Sequence, residues 1–310
     1  MKNRFRGAFL GLALGDAIGF PAEFVHDRKG IDVKGPPTPA MYSDDTQMTV
    51  CLANALIESN ETVPEFMKAL SKQFVAWLSI QDNPALRRAP GNTCLAACRR
   101  LAKGVHWEQS GVPDSLGCGS AMRSAPIGLF FDRLEKVVDY AINSSRITHP
   151  HELAMCATAG TAVLTHLALT DVPVGVWPNE LLQVAGFNPV FAAYVRRAAK
   201  EAALGTDPDI ALSAESLGEG WTGHEAVASA LFCCLVRPHS YKDAVLLAAN
   251  TVGDSDSIAC ITGALMGAKL GVEAIPPEWV EQIEDGTGLT DLADRMYAKS
   301  PWSHNHWRKP

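Results

Sequence analysis

GDSDSIACITGALMGAKLG, residues 253–271, opens on oxygen-bearing side chains and runs on through small and apolar ones. From Ser257 to Leu270 the apolar residues recur at three- and four-residue spacing, which predicts a helix, with Asp256 as a plausible cap. Its alanines favour helix, and small residues allow close packing. A helix this apolar belongs in a core, so Asp254, Ser255 and Asp256 stand at its buried end. Alternating oxygen donors there bring three side chains within reach of one point.

The same periodicity recurs along the chain. It predicts helices over Thr46–Glu58, Val63–Leu78, Thr93–Lys103, Leu134–Asn143, His151–Leu169, Asn188–Leu204, His224–Leu235 and Tyr241–Ala249. Alternating strand patterns are almost absent, so the fold is expected to be all-α. Gly7 to Gly15 behind Lys2, Arg4 and Arg6 has the look of a signal peptide. The stretch is short, however, and Asp16, Ala17, Ile18 and Phe20 continue its pattern as one helix would; it reads as the first core helix. The stretches Asp27–Pro39 and Gly104–Ala125 are rich in Gly and Pro and read as functional loops. No linker divides the chain, giving one domain over residues 1–300 and a surface tail over 301–310.

Composition excludes several classes. The 310 residues are 47% hydrophobic and 20% charged, with a net charge of −7. No basic block exceeds an isolated pair or triplet, which argues against a nucleic-acid backbone binder. No stretch approaches the roughly 18 uninterrupted apolar residues of a membrane span. The eight cysteines sit mostly among Ala, Leu and Val, and none forms a C-x-x-C pair. Free thiols in a reducing cytoplasm are therefore expected. Cys118, between two glycines, is the one expected to be accessible.

A second acidic cluster, Ser43-Asp44-Asp45-Thr46, precedes another apolar helix. Read alone, it is an N-cap, Ser43 or Asp45, with an acidic first turn. Two adjacent carboxylates repel, however, and desolvating them is costly without a cation. Two such clusters leading into apolar helices suggest converging helix ends around a divalent-metal site. Ligands that are all oxygen select a hard cation such as Mg²⁺, Mn²⁺ or Ca²⁺.

Taken in order, the blocks GAFLGLALGDAIG (7–19) with PAEF (21–24), SDDTQM (43–48), GNT (91–93), GCGSAMR (117–123) with Ala125-Pro126, THP (148–150), GEGW (218–221) with Ala226, and GDSDSI (253–258) resemble the ADP-ribosylglycohydrolase family from Arg4 to about Trp279. The resemblance implies an orthogonal helical bundle with two divalent cations, Mg²⁺ or Mn²⁺. Position by position, it implies Ser43, Asp44, Asp45, Asp254, Asp256 and Ser257 as metal ligands. The family often has Thr where this chain has Ser43, Ser255 and Ser257; a hydroxyl survives in each case.

Glu23 matches a mobile carboxylate near the metals and is the first choice for acid–base work, with Asp45 as its rival. Asp16, seven residues earlier, reads as a supporting group rather than a catalyst. Gly117, Cys118, Gly119, Ser120, Ala121 and Met122 are expected to hold a diphosphate through backbone amides, against the alternative of an ordinary Gly-rich turn. Asn92 is expected near the scissile bond; some arginine-specific members carry Asp there, which leaves the acceptor open. His149 resembles a ligand-contacting histidine or is a helix-capping one, and Trp221 stacks on a base or ribose or simply packs. His304 and His306 belong to the expected surface tail.

The expected activity is hydrolysis of the bond between ADP-ribose and an acceptor, with ADP-ribosyl-arginine on protein leading. ADP-ribosyl-serine and O-acetyl-ADP-ribose follow. A non-catalytic ADP-ribose-binding or crystallin-like protein is the competing class, and intact acidic clusters with Glu23 argue against it. A monomer is expected.

Overall fold

The computed structural model describes residues 1–25, 32–59 and 62–304. Among these the fold is all-α, with isolated bridges at Ala40–Ile283 and Gly117–Thr222 in place of strands. Each expected helix is present. The first runs Lys2–Gly19, the second Asp44–Glu58, and Tyr241–Ala249 has the expected bounds. Others differ by a few residues at the ends; Leu134–Arg146, for instance, runs a turn past Asn143. Trp177–Ala185 and Gly286–Lys299 are helices that the periodicity did not single out.

The core is built around the pairing of Lys2–Gly19 with Ser255–Leu270, the most extensive helix contact in the molecule. The reason is a row of glycines. Gly7, Gly11, Gly15 and Gly19 recur every fourth residue and so share one helix face. A Cβ on Gly11 would collide with the Gly263 carbonyl, one on Gly15 with Ala259, and one on Gly19 with the backbone of Asp256. Gly263 and Gly267 meet Gly11 and Gly7 in the same way. The two backbones touch directly, and this register carries Asp16 to the end of the helix where Asp256 begins.

Three expectations are corrected. Asp254, not Asp256, precedes the helix, which starts at Ser255. Gly253 turns the chain at φ +88°, and the Asp254 amide then donates to the Glu219 carbonyl at 2.8 Å. The tail does not begin on the surface: Trp302 is buried in a single turn, Pro301–Ser303, and its indole N–H donates to Leu129 O at 2.8 Å. An indole is large enough to reward burial when its one donor finds a carbonyl. Cys118, expected to be accessible, is buried. Residues 26–31, which include the first part of the expected loop Asp27–Pro39, and residues 305–310, with His306, lie outside the described residues.

Glu152–Leu169 has the length and hydropathy to cross a membrane, but 89% of it is buried here as a core helix.

Candidate metal and substrate site

Four segments deliver acids to one place. Ser43 caps the second helix, its hydroxyl accepting from the Asp45 amide at 3.2 Å, so Asp44 and Asp45 occupy the first turn. The first helix contributes Asp16, whose carboxylate accepts from the amides of Ser43 at 2.8 Å and Thr46 at 3.0 Å. The chain leaves that helix at Gly19 through a 3-10 turn, Phe20–Ala22, which sets down Glu23. Asp254 and Asp256 enter at the start of Ser255–Leu270, where Asp256 accepts from the Ser257 amide at 2.9 Å. Oxygens of Glu23, Asp254 and Asp256 all lie within 4.8 Å of one another.

All six carboxyl groups, Asp16, Glu23, Asp44, Asp45, Asp254 and Asp256, are buried. Burial first, then their mutual repulsion, pushes Glu23 up to about 10 and Asp16 up to about 7. Burial followed by the charge of Asp256 holds Asp44, Asp45 and Asp254 well above the usual range, and Asp256 itself is raised by burial. Carboxylates so placed ionise only beside a compensating cation. Glu23 Oε2 and Asp45 Oδ2 are buried with no hydrogen-bond partner among the described residues. An all-oxygen donor set with unsatisfied acceptors fits a hard divalent cation.

Five of these acids, all but Asp16, line a cavity of about 380 Å³. Its wall includes Glu23, Asp44, Asp45, Asp254, Asp256 and Ser257, together with Asn92, Gly117, Cys118, Gly119, Met122, His149 and Trp221. Ser43, Ser120 and Ala121 do not line it. Ser43 is a cap, and the Ser120 hydroxyl is tied into the core by Thr158 and Ser145 at 2.8 and 3.1 Å. Burial, then the charges of Asp254 and Asp45, pushes the Cys118 thiol well up, which disfavours the thiolate form a nucleophile needs.

Phe24 also lines the cavity, and Arg123 is buried beneath the Gly117–Met122 loop, though neither stands out in the sequence as a site residue. Phe24 could have been flagged as an aromatic beside Glu23; nothing about Arg123 alone distinguished a buried guanidinium from a surface one.

A family model described as ADP-ribosylglycohydrolase matches residues 1–305. ADP-ribosylarginine hydrolase Tri1 of Pseudomonas putida is 28% identical, covering 96% of this chain and 79% of its own. ADP-ribosylhydrolase ARH3 of Danio rerio is also 28% identical, over 96% of this chain and 90% of its own. A solved structure, titled ADP-ribosylglycohydrolase-related protein complex, superposes with a TM-score of 0.77 at 25% identity. It covers 96% of this chain and 98% of that one.

Proposed function

Because the chain belongs to the ADP-ribosylglycohydrolase family, enzymes that cleave a glycosidic bond to ADP-ribose, we propose that it releases ADP-ribose from arginine side chains of proteins with the help of bound divalent cations. The observation that carries this reading is the charge of the cavity. Five carboxyl groups line it, and no Lys or Arg does among the described residues. An anionic diphosphate would be repelled from such a wall unless cations intervene, whereas a guanidinium leaving group is complementary to it.

Asp44, Asp45, Asp254 and Asp256, with Ser257 beside them, would hold the cations, and two Mg²⁺ or Mn²⁺ ions are part of the proposal. When bound, they supply electrostatic binding of ribose hydroxyls and orientation of a water. The water oxygen bonds to the anomeric carbon as the carbon–nitrogen bond breaks through an oxocarbenium-like state, and a proton passes to the departing guanidine. Glu23, with one oxygen unengaged, is suited to exchange that proton. Asp45 is the rival, for the same reason. Eight cysteines without a disulfide among them support a reducing, cytoplasmic setting.

Asn92 supports a second reading. It is uncharged and lies on the cavity wall, where a neutral acceptor such as serine would also be tolerated. Release of ADP-ribose from arginine- and serine-linked peptides, with Mg²⁺, Mn²⁺ or chelator, separates the two. Metal-dependent release from arginine is the expected result. No release from any ADP-ribosyl substrate by metal-loaded protein would overturn the hydrolase reading.

A further inference from the structure

We infer that Arg123, acting through Thr148, holds His149 as a neutral imidazole whose Nε2–H is kept free to donate a hydrogen bond to the ligand in the cavity. The three side chains form a buried chain. Arg123 and Thr148 are fully buried, and His149 is only 1% exposed. The guanidinium lies over the Phe74 ring, 4.7 Å from its centroid, and donates to Thr148 Oγ1 at 2.7 Å. It also donates to the Gly119 carbonyl and, at 3.3 Å, to Ser144 O.

The protons then have one consistent arrangement. A guanidinium only donates, so Thr148 Oγ1 accepts from it. The hydroxyl has one hydrogen of its own, and an unmet donor in a sealed site costs about 1–3 kcal/mol. His149 Nδ1, at 2.8 Å, is the acceptor that the described residues offer it. Nδ1 is therefore bare, and the neutral ring carries its proton on Nε2.

A second proton is resisted by burial and by the charge of Arg123, which together push His149 down to about 3. Donation, not acid–base exchange, is what remains to this imidazole. Nε2 has no hydrogen-bond partner among the described residues, and His149 lines the cavity. It stands 3.4 Å from where a Cβ on either Gly117 or Gly119 would be, so glycine at both positions leaves the nitrogen uncrowded. Arg123 holds the Gly119 carbonyl as well. One guanidinium thus fixes both the loop wall and the donor facing it, and Arg123 and Thr148 are positioning residues. The acceptor is an oxygen of ADP-ribose, phosphate or hydroxyl; only that identity rests on the proposed function.

The test is the pair of imidazole nitrogen resonances of His149 in ¹⁵N-labelled, ligand-free protein, assigned with His149→Gln. Protonated Nε2 with bare Nδ1, unchanged between about pH 8 and pH 5, is expected from the chain above. Thr148→Val keeps the shape and removes the hydroxyl. It should shift the pattern toward Nδ1–H or a mixture and weaken ADP-ribose binding to metal-loaded protein about tenfold. Thr148→Ser should restore both. A wild-type Nδ1–H pattern, or an unchanged spectrum in Thr148→Val, overturns the inference. If Thr148→Val does not fold, the wild-type spectrum decides alone. These spectra are independent of turnover: an Nε2–H pattern in a protein inactive on every ADP-ribosyl substrate would leave this inference standing and sink the hydrolase reading.

Discussion

Asp16 is joined to Thr46 twice, its Oδ2 accepting from the hydroxyl at 2.6 Å and from the amide at 3.0 Å. Oδ1 is taken by the Ser43 amide, so the whole carboxylate is spent on orienting the turn that carries Asp44 and Asp45. Asp16→Ala would leave buried donors unmet and free that turn. Groups that orient metal ligands typically contribute 10–100-fold in affinity, so a loss of about that size is expected in Mn²⁺ titration calorimetry. Undiminished affinity would show that Asp16 serves packing alone.

The acidic site makes stability depend on pH in a direction set by the raised carboxyls. Asp16 rises from 3.8 in an open chain to about 7 when folded, and Glu23 from 4.5 to about 10. Between those limits the folded, metal-free protein holds more protons than the unfolded one, so its stability falls as pH rises. The melting temperature of chelator-treated protein should therefore drop from pH 5 to pH 8. Excess Mg²⁺ or Mn²⁺ should offset the drop, and more so at the higher pH, because the cation binds the ionised form. A metal-free melting temperature that is level across this range would contradict the charge distribution.

Asp256 is the neighbour whose charge most strongly raises Glu23, Asp44, Asp45 and Asp254. Asp256→Asn keeps an oxygen for the Ser257 amide but removes that charge. Metal-free protein should gain about 1–3 kcal/mol near pH 8, since a buried unpaired charge is destabilising. Cation uptake should fall steeply in the same variant. Opposite signs for these two measurements identify a site strained for metal binding; unchanged metal content and turnover would show the assignment to be wrong.

Much of this was legible because two physical signals coincide in the sequence. Apolar residues at helical spacing in 257–270 announce a core helix, and acids at its mouth announce a charge that must be compensated. The start of that helix was misplaced because Asp256 looks like a cap, while the turn at Gly253 and the Glu219 carbonyl that receives the Asp254 amide come from elsewhere in the chain. The roles of Ser120 and Arg123 were hidden for the same reason. Which side of the Gly117–Met122 loop faces ligand depends on Thr158, Ser145 and Thr148, all contributed by later segments.

The glycine face of the first helix links fold stability to the site. Gly15→Ala would drive a methyl into Ala259, one turn from Asp256 and beside Asp16. Overpacking of this kind costs about 1–3 kcal/mol, and a shift of the two helices also displaces the acids. Lower urea midpoint and weaker Mn²⁺ binding are expected together. Loss of stability with unchanged metal affinity would mean that the helix register and the site are uncoupled.

At the cavity mouth, Trp221 is 37% exposed and Phe24 59% exposed, and their rings face each other at 6.2 Å between centroids and 25° between planes. The Trp221 indole N–H is held by Glu219 Oε2 at 3.1 Å, which fixes the ring beside the Gly117–Gly119 wall. A packing tryptophan would be buried, as Trp77, Trp177 and Trp302 are. Stacking of a base on an aromatic ring contributes about 1–3 kcal/mol. Trp221→Ala should accordingly weaken ADP-ribose binding by about tenfold or more in calorimetry, with kcat little changed because a stacked base is held equally in the ground and transition states. Ligand should also perturb Trp221 fluorescence in the wild type, and a Phe24–Trp221 stack that opens to admit a base predicts a smaller loss for Phe24→Leu. Full affinity in Trp221→Ala would return Trp221 to a packing role and leave the base to be held elsewhere on the wall.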